Sequence, residues 1–141
     1  MDFGKQIRQI RKDAKLTQEL AGNYIITSDH AEQNKSLSSI KNVLDYINSH
    51  YNEPLNAKEL AGLSNYSEYY FMKLFRQYTG KTLIEYINDL RLEKSKTLLL
   101  HSDDSVTEIA LECGFNNTSY YIKKFQQANG ISPHKFRKNM S

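Results

Sequence analysis

VTEIALECGFNNTSYYIKKFQQANGISPHKFR, residues 106–137, repeats AKELAGLSNYSEYYFMKLFRQYTGKTLIEYI, residues 57–87. Before the turn the copies are 49 residues apart: Leu60 matches Ile109, Ala61 matches Ala110 and Tyr66 matches Phe115. After it the spacing is 50: Tyr70 matches Tyr120, Lys73 matches Lys123, Phe75 matches Phe125, Gly80 matches Gly130 and Tyr86 matches Phe136. One residue has entered between two short helical segments. Each copy reads as helix, tight turn, helix. In such a module the first helix sets the angle, and the second lies in the major groove of DNA and presents a few side chains to base edges. Two copies with cationic faces predict a two-headed DNA reader.

The second helix of each copy has the two faces this task needs. In 68–79, Phe71, Leu74, Phe75 and Tyr78 fall on one stripe that anchors the helix to a core. Tyr69, Met72, Lys73 and Arg76 form the opposite stripe. Lys73 and Arg76 are long enough to reach base acceptors or phosphates, and Tyr69 can stack or donate a hydrogen bond. Met72 on an outward face needs something to cover it, and thymine methyls are one candidate. In the second copy Ser119, Ile122, Lys123 and Gln126 are expected outward, with Thr118 at the extra residue. Tyr121, Phe125 and Ala128 are expected inward, and Lys124 replaces Leu74.

Around the repeats the chain reads as all-α, with seven helices in the C-terminal hundred residues. The first covers about 38–51, with Ile40, Val43, Leu44 and Ile47 on one stripe. The others are expected at 57–63, 68–79, 82–101, 106–113, 118–129 and from Ser132 onward. Asn56, Ser67 and Asn117 are read as N-caps, and Ser105 with Glu108 as a capping box. Gly80 and Gly130 are natural left-handed stops, Gly114 makes the second turn, and Pro133 suits a first helical position. The long helix carries Leu83, Ile84, Ile87, Leu90, Leu98 and Leu99. Two helix-turn-helix units, 56–80 and 105–130, are thus joined by a long linker helix, 82–101.

Composition narrows the function classes. A chain of 141 residues builds one ordinary core or two small ones. No apolar run is long enough to cross a membrane and no signal peptide is visible. The lone Cys113 cannot form an internal disulfide and suits a reducing cytoplasm. Net charge is only +3, but it is unevenly spread. Residues 117–141 hold Lys123, Lys124, Lys135, Arg137 and Lys138 and no acid, whereas residues 99–116 hold Asp103, Asp104, Glu108 and Glu112 and no Lys or Arg. That asymmetry favours a polyanion on one face. His30, His50, His101 and His134 are scattered without ligand spacing, so neither metal nor cofactor is expected. No catalytic constellation is visible, and no enzyme is expected.

Residues 38–139 resemble the DNA-binding domain of the AraC/XylS family of bacterial transcription regulators. The resemblance rests on Ile109-Ala110, Gly114-Phe115, Ser119-Tyr120-Tyr121, Lys123, Phe125, Gly130-Ile131-Ser132-Pro133 and Phe136-Arg137. Leu60-Ala61, Ser67, Tyr70-Phe71, Leu74-Phe75-Arg76, Thr79-Gly80, Tyr86-Ile87 and Arg91-Leu92 add to it. Ser95 stands where the family commonly has Ala, and Asn65-Tyr66 where a pair beginning with Gly is usual. The resemblance implies recognition helices in successive major grooves on one face of promoter DNA, ~34 Å apart. It implies base reading by Tyr69, Met72, Lys73, Thr118, Ser119, Ile122 and Lys123, and phosphate contacts from Arg76, Gln77, Lys124 and Gln126. The amides near Asn56 and Ser105 would contact phosphates as well. It further implies an activator that recruits RNA polymerase, in the bacterial cytoplasm at the nucleoid.

Residues 1–37 read differently, as an N-terminal helix and linker. Phe3, Ile7, Ile10, Ala14, Thr17, Ala21 and Tyr24 make a heptad-like stripe, so residues 3–24 are a candidate homodimer contact. The stretch from Phe3 to Ala21 also resembles the opening of a Cro/repressor-type helix-turn-helix, but a helical connection to a preceding domain is the simpler reading. Thr27–Lys35 reads as a flexible linker. The chain is then either a small stand-alone regulator or part of a longer one. The competing reading is a helical protein-interaction or adaptor module whose repeat is architectural only.

Overall fold

The computed structural model describes residues 27–140, with side chains from residue 31 onward, so the Phe3–Tyr24 stripe lies outside the described residues. Within them are seven α-helices and no strand: α1 Thr27–His50, α2 Ala57–Ser64, α3 Glu68–Thr79, α4 Leu83–His101, α5 Val106–Glu112, α6 Thr118–Asn129 and α7 Pro133–Met140. The chain divides into two units. The first contains residues 27–49 and 55–83, and the second residues 50–54 and 84–140.

Every expected cap forms, and each satisfies the amide three residues on. Asn56 Oδ1 accepts from the Glu59 amide at 2.8 Å, Ser67 Oγ from Tyr70 at 3.3 Å and Asn117 Oδ1 from Tyr120 at 2.9 Å. Ser105 Oγ accepts from the Glu108 amide at 3.1 Å while Glu108 Oε2 accepts from the Ser105 amide at 3.0 Å, completing a capping box. The helix-turn-helix turns need a left-handed residue at matching positions, filled by Asn65 at φ 62° and Gly114 at φ 98°. Asn is among the few side chains that tolerate that region. Gly114 has a second constraint. A Cβ there would lie 2.6 Å from the Tyr51 carbonyl oxygen and 2.8 Å from Arg91 Nε.

α1 is longer than its apolar stripe foretells. It begins at Thr27, so Thr27–Lys35 is helix rather than linker. Ala31, Glu32, Gln33 and Lys35 are competent helix formers. The packing of this part comes from distant residues: Ser36 is buried with its hydroxyl 3.2 Å from that of Tyr66, and the Tyr78 hydroxyl lies 3.5 Å from the Gln33 carbonyl.

In the first unit Ile40, Val43, Leu44, Ile47, Leu60, Ala61, Phe71, Leu74 and Phe75 are buried. Each large apolar side chain so placed contributes about 1.5–3 kcal/mol, which fixes α3 by one face and leaves the other unengaged. The second unit closes on Leu92, Leu99, Ile109, Ala110, Cys113, Phe115, Tyr121 and Phe125. Two expectations fail here. Ile84, on the apolar stripe expected of α4, is 65% exposed. Ala128 is exposed rather than inward, because Tyr121 and Phe125 already fill the face α6 turns to the core. Ile122 is half-buried, as Met72 is on α3, and packs against that core.

Candidate nucleic-acid interface

The outward face of α3 forms as its spacing predicts. Tyr69 is 81% exposed, Lys73, Arg76 and Gln77 are exposed, and Met72 is half-buried. With Thr82 these side chains line an open groove of about 580 Å³. None of them is a carboxylate. Methionine at the base of a cationic groove offers an adaptable apolar floor.

On α6, Ser119, Lys123 and Gln126 are exposed, while Thr118 and Ile122 are half-buried. Lys123 therefore projects from the second helix as Lys73 does from the first, each following a half-buried apolar residue. Lys124 points elsewhere. Its ammonium lies 5.5 Å from the Tyr120 ring centroid, a cation–π contact that draws it onto the protein. The helix starts expected to offer amides to phosphate are largely self-satisfied. Asn56 and Ser105 already bond the third amide, and Glu108 sets a carboxylate against the Ser105 amide. An anion is disfavoured beside that carboxylate.

Sequence reasoning missed a second groove. About 640 Å³ in volume, it lies beside the start of α6, between Asn88 and Arg91 of α4 and the Asn116–Lys123 segment. Asn88 Nδ2 donates to the Tyr120 hydroxyl at 2.8 Å. Arg91 is pinned: Nε donates to the Tyr51 carbonyl at 2.7 Å, a terminal nitrogen to the Glu53 carbonyl at 3.0 Å, and the guanidinium lies 5.9 Å from the Phe115 ring centroid. Burial pulls Arg91 below the ordinary guanidinium range. Arg137 does similar work at the end of α4, donating to the Leu99 carbonyl at 3.0 Å and the Ser102 carbonyl at 3.2 Å. Asn88 lies mid-helix with no motif around it, so no local signal pointed to it.

The remaining reactive groups are structural. Cys113 is buried, and burial pushes its thiol up to about 11. Among the described residues no three His, Cys, Asp or Glu side chains gather to hold a metal. Among them, too, no helix is long and apolar enough to cross a membrane.

A helix-turn-helix domain family matches residues 60–139. The chain is 36% identical over 110 residues to the uncharacterised HTH-type transcriptional regulator YdeC of Bacillus subtilis strain 168, covering 78% of this chain and 38% of that one. It is 34% identical over 98 residues to the HTH-type transcriptional activator RhaS of Escherichia fergusonii, covering 70% and 35%. The chain thus spans well under half the length of these relatives. Among solved structures, the DNA-binding domain of the global transcriptional factor AdpA, in complex with a target DNA, superposes with a TM-score of 0.69 at 28% identity, covering 72% of this chain and 91% of that one.

Proposed function

The chain belongs to the AraC family of DNA-binding transcription regulators, and from that premise we propose that it reads one promoter site with two helices at once. α3 and α6 enter successive major grooves of a single duplex, about one helical turn apart. Tyr69, Met72 and Lys73 contact bases from α3. Thr118, Ser119, Ile122 and Lys123 do so from α6. Arg76, Gln77 and Gln126 sit beside them for phosphates, and Lys124 reaches a phosphate only by leaving the Tyr120 ring. Bound beside a promoter, the protein recruits RNA polymerase and activates transcription; the name of RhaS gives activation, and that alone, for that relative.

The carrying observation is the repeated exposed lysine beside a half-buried apolar residue, Met72-Lys73 and Ile122-Lys123. A lysine reads guanine O6 and N7, and an apolar neighbour suits a thymine methyl. The two faces differ in every other base-reading residue, so the site of one monomer is non-palindromic. Lys73→Ala and Lys123→Ala test this. Each removes a contact worth about 1–3 kcal/mol of discrimination. Each relaxes sequence preference in a different block of the site, with the circular dichroism spectrum unchanged. Preference left intact in both folded variants contradicts the base-reading assignment, whereas a wild-type chain that binds DNA without sequence preference favours an adaptor module.

A further inference from the structure

The groove beside α6 is built to receive an anion. No carboxylate lines it. Its internal hydrogen bonds consume acceptors and leave donors. The Tyr120 hydroxyl accepts from Asn88 Nδ2 at 2.8 Å and so has its own proton to give. Asn88 retains a second amide hydrogen. Asn117 Oδ1 accepts from the Tyr120 amide at 2.9 Å, which leaves its NH2 group to donate. Lys123 stands at the rim, and the pinned Arg91 adds fixed positive charge from the wall. Ile84, also on the wall, is 65% exposed, an apolar surface that the fold leaves uncovered.

These features match a nucleotide backbone unit: donors and charge for the phosphate, an aliphatic side chain for the deoxyribose. We propose that this groove seats one phosphodiester of the DNA backbone, gripped by the Asn88 amide and the Tyr120 hydroxyl with Ile84 against the adjoining sugar. The inference rests on the DNA-reading function above and adds a residue class to it. α4 is then a backbone clamp as well as a connector, and it fixes how deeply the start of α6 enters its groove. Contacts of this kind position a protein without specifying sequence.

The test uses the full chain and a duplex selected by it from random DNA. Asn88→Ala and Tyr120→Phe each lower affinity for that duplex about tenfold, the scale of a hydrogen bond to a charged group, and leave sequence preference unaltered. Asn88→Asp keeps the side chain's shape and sets a negative charge against the phosphate, so it loses more than Asn88→Ala. Methylphosphonate is then substituted at each backbone position in turn. One position costs the wild type about tenfold and costs the Asn88→Ala/Tyr120→Phe double variant nothing further. Wild-type affinity in the folded single variants overturns the clamp alone. So does a double variant that loses as much as the wild type at every methylphosphonate, which marks a merely structural role. A wild-type chain that selects no sequence overturns the clamp and the DNA-reading function together.

Discussion

Cys113 shows at the scale of one side chain how the fold keeps a thiol protonated and inert. It packs in the second core, 1% exposed, and caps α5 through its backbone. Burial raises its thiol from 9.0 to about 11, and the Tyr121 phenol from 10.0 to about 12. Both groups hold their protons more tightly folded than unfolded. Their contribution to stability is therefore whole below pH 9 and is lost as pH climbs through 11 and then 12. The urea midpoint is expected to stay level from pH 7 to 8.5 and to fall beyond pH 9. Cys113→Ala removes the first part of that fall, up to about 2 kcal/mol. Equal slopes in both proteins between pH 9 and 11 would show that the thiol is not desolvated.

At the scale of elements, the caps were legible because each solves a local problem. A short polar side chain just before an apolar-periodic run satisfies an amide three residues on, and Asn56, Ser67, Ser105 and Asn117 all do so. What escaped notice was non-local. The first turns of α1 rest on Tyr66 and Tyr78, 30 and 45 residues away, and the Asn88–Tyr120 pair is separated by 32. The turn at Gly114 combines both kinds of information. Its glycine marks a left-handed residue, but its close approach to residues 51 and 52 is visible only in the fold. Gly114→Ala combines strain at positive φ with a clash against the Tyr51 carbonyl that Arg91 holds. It is expected to cost at least about 2 kcal/mol in thermal or urea unfolding. Asn65→Gly, at the matching turn, is neutral or stabilising, because it relieves a positive φ without opening a packed contact.

For the whole molecule, duplication sets the architecture, and the proposed use depends on how the copies diverge. Two copies of one module supply two cores, two capped second helices and two exposed lysines. The differences between them, Tyr69 against Ser119, Arg76 against Gln126, and a linker-helix groove described only beside the second, make the pair unequal. An unequal pair suits an asymmetric site. Selection of bound duplexes from a random DNA pool measures this directly. The account predicts two enriched blocks of different sequence, about 10–10.5 base pairs apart centre to centre. In the selected duplex, Lys73→Ala blurs one block and Lys123→Ala the other. Enrichment of a single block, of two blocks on opposite faces of the duplex, or of no sequence at all would contradict it.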